Sequence, residues 1–247
     1  MNQVYAIDIN ADLGEGVGNE AKIMPYLSSC NIACGGHAGD DETMNQVVEL
    51  AKKNRVKIGA HPSFPDPENF GRIPMEMPCA ALYHTVKSQI TRLMKVLRSN
   101  DAQLHHVKPH GALYNQAASD KRTAIVVLEA VKSIPFPLQL YVPFGSVIAD
   151  LAIEEGVHIK YEVFADRNYN DDLSLVSRKL SNALITDKSA MSEHVIRMVS
   201  RGRVKTITGK EVPIKAETIC VHGDNPKAVS LVKYLHKQLR KNQVEIQ

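Results

Sequence analysis

The sequence predicts an α/β fold, a distorted seven-stranded (β/α) barrel, on three observations. Short apolar runs alternate with helical patterns along the chain, which argues for a parallel sheet with helices outside it. Seven such units exceed what a small open doubly wound sheet needs, and 247 residues suit one barrel, an architecture that routinely takes about 250. Polar residues gather where strands give way to loops, the rim on which barrel sites are built.

Each strand is a short apolar run closed by turn residues. They are YAIDIN (5–10), CNIAC (30–34), KIGAH (57–61), LHHVK (104–108), LQLYVP (138–143), IKYEVF (159–164) and TICVH (218–222). The clearest helical patterns between and after them cover 41–54, 79–100, 120–134, 146–156, 188–202 and 226–241. RVKTITGKEVPI (203–214) breaks the alternation with β-rich halves around Thr208-Gly209, and reads as a small hairpin inserted before the last strand. No linker or low-complexity tract interrupts the pattern, so residues 1–247 are expected to form a single domain.

Composition narrows the function classes. Apolar residues are 44% and charged residues 23%, close to globular averages. Thirty basic residues against 27 acidic ones leave a net charge of +3, and the one basic run, KYLHKQLRKNQ, reads as a solvated helix face, so no nucleic-acid role is expected. Four cysteines without a C-x-x-C pair, and an N-terminus with neither a basic stretch nor a long apolar one, point to a reducing cytoplasm. No apolar run approaches the roughly 18–20 residues that span a bilayer, and no membrane role is expected.

The strand ends carry the chemistry. His37, His61, His110 and His222 occupy four equivalent ends, joined by Asp12, Glu15, Asp40, Lys108, Asp166, Arg167 and Asp224. One histidine after a strand is an ordinary turn residue, whereas four at equivalent positions suggest a shared pocket. Asp40 has a second reading as the cap of the helix that starts near Asp41, with Thr43 three residues on. Of the mid-strand pair His105 and His106, only one can face the barrel interior. No G-x-x-x-x-G-K-[ST] and no G-x-G-x-x-G between strand and helix is present, and GEGVG (14–18) lacks the lysine of a phosphate loop.

In order, DINADLGEG, NIACGGHAGD, GAHPSFPD…FGR, VKPHGALYN, EVFADRNY and ICVHGDNP resemble the signature of the LamB/YcsF family over essentially the whole chain. Ile73, in FGRIPM, stands where a second arginine is expected. The resemblance implies the A subunit of an ATP-dependent 5-oxoprolinase, which opens 5-oxo-L-proline to L-glutamate with separate B and C subunits. ATP would then bind this chain at an unfamiliar rim site or bind a partner.

NADLG, the histidine ending strand three and HHVKPH are also similar to the divalent-metal deacetylases of the glycoside hydrolase/deacetylase superfamily. That likeness implies Asp12, His61 and His110 as ligands of a divalent metal, magnesium or zinc. The alternatives are metal-free acid–base work by the same groups, and a stand-alone carbohydrate deacetylase. On the lactam reading, Asp12, His37, Asp40, His61, His110 and His222 are the expected catalytic groups. Glu15, Lys108, Asn115, Glu162, Asp166, Arg167 and Asp224 are then expected to bind substrate. Lys108 and Arg167 are candidates for the substrate carboxylate, with a salt bridge from Lys108 to Asp12 or Glu162 as the competing role. His37 is expected to exchange a proton, oriented by Asp40.

Overall fold

In the computed structural model, which describes residues 5–223 and 227–247, seven parallel strands close into a barrel. They are β1 (Tyr5–Leu13), β2 (Ser29–Ala33), β3 (Lys57–His61), β4 (Leu104–Val107), β5 (Gln139–Pro143), β6 (Ile159–Phe164) and β9 (Thr218–Cys220). Each pairs with the next, and β9 closes the ring by pairing with both β6 and β1. Outside lie α1 (Glu20–Ile23), α2 (Asp41–Asn54), α3 (Cys79–Ser99), α4 (Gly111–Ser119), α5 (Lys121–Lys132), α6 (Val147–Glu154), α7 (Lys188–Arg201) and α8 (Ala228–Lys241). The expected hairpin is present as antiparallel β7 (Arg203–Lys205) and β8 (Glu211–Pro213). Among the described residues, no helix is long and apolar enough to cross a membrane.

Three of these elements escaped the sequence reading, the single-turn α1 among them. α4 starts at Gly111, directly after the polar motif VKPH, where loop chemistry masked the helical spacing of Leu113, Tyr114 and Ala117. The last strand, β10 (Val244–Ile246), pairs in parallel with Tyr5–Ile7. Helix starts follow local chemistry: Asp40, Asp120, Ser146 and Asp187 each accept a backbone N–H at the third residue of α2, α5, α6 and α7.

Strand alternation separates two interiors. Ile7, Ile9, Ala11 and Leu13 of β1, with Cys30, Ile32, Ile58, Ala60, Val107, Leu140, Val142, Val163 and Ile219, join the apolar core with the helices. The opposite faces point into the barrel and are polar. Asn10 Nδ2 donates to Glu162 Oε1 (2.9 Å) and Thr218 Oγ1 (2.8 Å), and Asn31 Nδ2 donates to Asn10 Oδ1 (2.7 Å) and Asp12 Oδ1 (2.8 Å). His106, the inward member of its pair, contacts Asn31 Oδ1 at 2.7 Å and stacks on Tyr141.

Gly59 shows how tightly this interior is filled, since a Cβ there would fall on the His106 ring. Gly59→Ala is therefore expected to cost about 1–3 kcal/mol by overpacking. At about 2–4 °C per kcal/mol for a chain of this size, the melting temperature should drop by roughly 2–12 °C. An unchanged thermal unfolding curve would show that the ring is not seated there.

Candidate active site

The floor of the site is a buried ion cluster. Lys108, 2% exposed, places Nζ 2.9 Å from Asp12 Oδ1 and 3.0 Å from Glu162 Oε1, with Cys220 Sγ at 3.1 Å. Burial pulls the ammonium pKa down, but Asp12, Cys220 and Glu162 more than offset it, so the pKa stands well above the usual lysine value. Burial pushes Asp12 up, and His61 and Lys108 override it to hold the carboxyl well below its usual range. Lys108 thus makes both of the salt bridges named as its competing role.

Above this floor stand Glu15, His37, His61 and His110, whose ligand atoms lie within 4.8 Å of one another. His61 Nδ1 is 2.7 Å from the Lys108 carbonyl, and His110 Nε2 is 2.9 Å from the Phe70 carbonyl. A carbonyl only accepts, so those two nitrogens carry the protons. In the neutral rings His61 Nε2 and His110 Nδ1 would carry lone pairs, and they face each other at 2.9 Å, with Glu15 Oε1 3.4 Å from the latter and Asp12 Oδ2 3.4 Å from the former. Facing lone pairs beside two carboxylates repel unless a positive charge, a proton or a metal ion, lies between them. Ring N–H groups tied to backbone carbonyls are also how metal-ligating histidines are oriented. The donor set fits a divalent cation, with Glu15 taking the central acid position expected of Asp12.

His37 sits one layer back. Its Nε2 is 2.9 Å from Glu15 Oε1, and its ring stacks on His110 at 3.7 Å between centroids. Burial, only partly offset by Glu15, lowers its pKa. Its tight loop depends on Gly39, at φ +84°, where a Cβ would collide with the Ala33 carbonyl. Asp40 is not brought to the cluster: it is exposed, accepts from Thr43 N at 2.7 Å and caps α2, and Glu15 fills the place beside His37 that Asp40 was expected to take.

The cluster opens into a cavity of about 380 Å³ whose lining includes Asp12, Glu15, His61, Lys108, His110, Asn115, Arg167 and His222. His222 Nδ1 lies 2.7 Å from Asp166 Oδ1, and its ring stacks on Phe164. Burial pushes Asp166 up, but His222, Arg178 and Arg167 leave it below its usual value. Arg167 is 6% exposed and gives one N–H to the Val176 carbonyl at 2.6 Å, while its buried Nε has no partner among the described residues. Glu162, besides holding Lys108, lines a neighbouring cavity of about 310 Å³ that shares Tyr114, Asn115 and Phe164 with the first. Asp224 lies outside the described residues.

Sequence reasoning missed Arg72, Arg178 and Lys179, which also line the cavity. Arg72 stood within the quoted FGR motif, whereas Arg178 and Lys179 lie in a segment without periodicity and gave no signal.

A closed seven-stranded (β/α) barrel with a buried imidazole–carboxylate cluster opening on its rim defines the class. The same fold, and the fold alone, is shared with a family 4 carbohydrate esterase from Streptomyces lividans (TM-score 0.50, 9% identity, 98% of this chain and 91% of that one). Within that class the chain belongs to the LamB/YcsF family, whose model matches residues 7–247. It is similar to the lactam utilization protein from Thermus thermophilus (TM-score 0.90, 36% identity, 98% and 99% of the two chains). It is also 43% identical to the A subunit of 5-oxoprolinase from Shouchella clausii (98% and 97%) and 42% identical to that from Pyrococcus horikoshii (97% and 96%).

Lys108→Met should act on stability first. It leaves Asp12 and Glu162 as uncompensated buried carboxylates, at a cost of about 3–5 kcal/mol. A depressed Asp12 contributes stability above its unfolded pKa of about 3.9, lost as pH falls through the lower folded value; a raised Lys108 contributes below about 10.4, lost as pH rises past its folded value. The deficit measured by urea unfolding should therefore be flat from about pH 5 to 9 and shrink in acid. A variant as stable as the parent at pH 7 would show that the ion cluster does not support the fold.

Proposed function

We propose that this chain is the A subunit of an ATP-dependent 5-oxoprolinase, a lactam hydrolase that opens 5-oxo-L-proline to L-glutamate with B and C subunits in the cytoplasm. The observation that carries the reading is a single cavity whose lining combines Arg167, the Glu15, His61 and His110 cluster and an Asp166-held histidine. The names carried by relatives 42–43% identical over nearly the whole chain support it. The single domain expected over 1–247 is part of the same reading.

A five-membered lactam is a resonance-stabilised amide with an anionic carboxylate on the ring. Arg167, whose guanidinium lines the cavity, suits the carboxylate, and Asn115 lines the same cavity. The reacting carbonyl then faces Glu15, His61 and His110. A divalent metal held by those three, with Asp12 beside them, would polarise the carbonyl and its attacking water. Asp166 accepts from His222 Nδ1, which leaves Nε2 as the atom that takes a proton from water and returns it to the departing ring nitrogen. His37, which does not line the cavity, positions Glu15. The absent phosphate loop favours a nucleotide site on one of the other subunits.

Glutamate release should require ATP and all three subunits. In that complex His222→Gln should lower kcat by about 10²-fold or more with little change in KM, whereas His37→Gln should leave the shape of the pH profile intact. ATP-independent turnover by the chain alone would instead favour a stand-alone hydrolase.

The isolated chain should also bind about one zinc or manganese ion, raising the melting temperature as a native-state ligand does. Glu15→Gln or His61→Ala should lower the metal content measured by elemental analysis. Parent protein free of metal after incubation and desalting would assign the cluster to metal-free chemistry.

A further inference from the structure

The second cavity, of about 310 Å³, is lined by β6, the loop after β5, α4 and part of the irregular segment after β6, and its chemistry is opposite to that of the first. Where the first carries Arg167, none of the described residues lining the second is basic, and two of them, Glu162 and Asp172, are acidic. Asp172 is exposed, and hydrogen bonds from the Ser174 hydroxyl and backbone hold its carboxyl below the usual value. The walls are aromatic: Tyr114, Phe144, Phe164 and Tyr169 contribute to them, with Tyr114 edge-on to Phe164 at 5.8 Å between centroids.

Glu162 supplies the decisive observation. Its Oε1 is used twice, by Lys108 Nζ at 3.0 Å and by Asn10 Nδ2 at 2.9 Å, while its Oε2 is buried without a hydrogen-bond partner among the described residues. Lys108 divides its single charge between Glu162 and Asp12, so two carboxylates face one ammonium. The Tyr114 hydroxyl is likewise buried without a partner among the described residues. Burial, and then the charge of Glu162, push this phenol well above its usual value, so the hydroxyl lies near that carboxylate without a hydrogen bond of ordinary geometry between them. A buried carboxylate oxygen with no donor is costly, and a positively charged donor removes the cost.

Rings and charge together specify the ligand. Aromatic walls attract a desolvated cation and cover its carbon body. A primary ammonium carries three N–H donors, enough for Glu162 Oε2 and the Tyr114 oxygen at once. A zwitterionic amino acid is disfavoured, because no basic residue stands among the described lining to meet its carboxylate. At about 30 Å³ for each water-sized unit, the space holds on the order of ten non-hydrogen atoms.

We propose that this second cavity binds a small primary amine in its ammonium form, carried on an apolar or aromatic body, through Glu162, Tyr114 and the ring walls. The site goes beyond the lactam-opening reading and does not depend on it. The carboxylate that takes the ammonium also holds Lys108, so occupancy of this cavity is felt at the ion cluster under the neighbouring one.

Calorimetric titration of the isolated full chain at neutral pH with benzylamine, and with benzyl alcohol as its uncharged counterpart, tests the site. Benzylamine should bind, and benzyl alcohol should bind at least about tenfold more weakly. Phe144 lines this cavity and not the first, and Phe144→Leu, which keeps apolar bulk without a ring, should weaken benzylamine roughly 3- to 30-fold. Tyr114→Phe should weaken it about tenfold by removing the hydroxyl. Glu162→Gln should erase the preference for amine over alcohol; where that variant fails to fold, the other two decide. No benzylamine binding, equal affinity for the alcohol, or binding indifferent to both Phe144→Leu and Tyr114→Phe overturns the proposal.

Discussion

The Lys108 ammonium, enclosed by Asp12 and Glu162 inside the barrel, is the constraint from which the rest of the site follows. A charge so placed is costly unless its partners are fixed, and here β1, β4 and β6 must all stand in one register to supply them. Asn10 and Asn31 tie the same carboxylates to β2, and His106 and Thr218 complete the ring of hydrogen bonds. A one-residue slip of any of these strands would turn its polar face toward the apolar shell under the helices. The network thereby specifies the closed barrel, and it also holds one oxygen of Asp12 toward Lys108 while the other faces His61.

The cavity built on this floor has two chemically distinct sides. Glu15, Asp12, His61 and His110 concentrate lone pairs and suit a cation or a developing positive charge, whereas Arg167 and its neighbours suit anions. A ligand that bridges them is oriented by charge before any shape complementarity acts. His222 lines the same cavity with its tautomer fixed by Asp166.

Strand order and rim position were legible in the sequence because they depend on local patterns: strands over 57–61 and 159–164, the helix over 41–54, and four histidines at strand ends. Partner choice was not, because it depends on which side chains meet across the barrel. Asp12 looked like a ligand and is held mainly by Lys108, while Glu15, further along the glycine-flanked turn, reaches the centre. Asp40 was the partner expected for His37, and Glu15 takes that place because of the path of the loop over 34–40, which local pattern does not reveal. Arg178 and Lys179 belong to a long irregular segment whose course is set by bridges such as Arg167 to Leu184 and Tyr169 to Leu175, which leave no periodic trace.

The pairing of β10 with the start of β1 has a consequence for how the chain is made. β1 is made well before its later neighbours β9 and β10, so one of its edges stays open while the residues between them are synthesised. At roughly 5–20 residues per second that wait is on the order of tens of seconds. An apolar strand left open so long would invite pairing with another nascent chain. Asp8, Asn10 and Asp12 on one face of β1 make such pairing unfavourable, so the residues that later line the barrel protect the unfinished protein first.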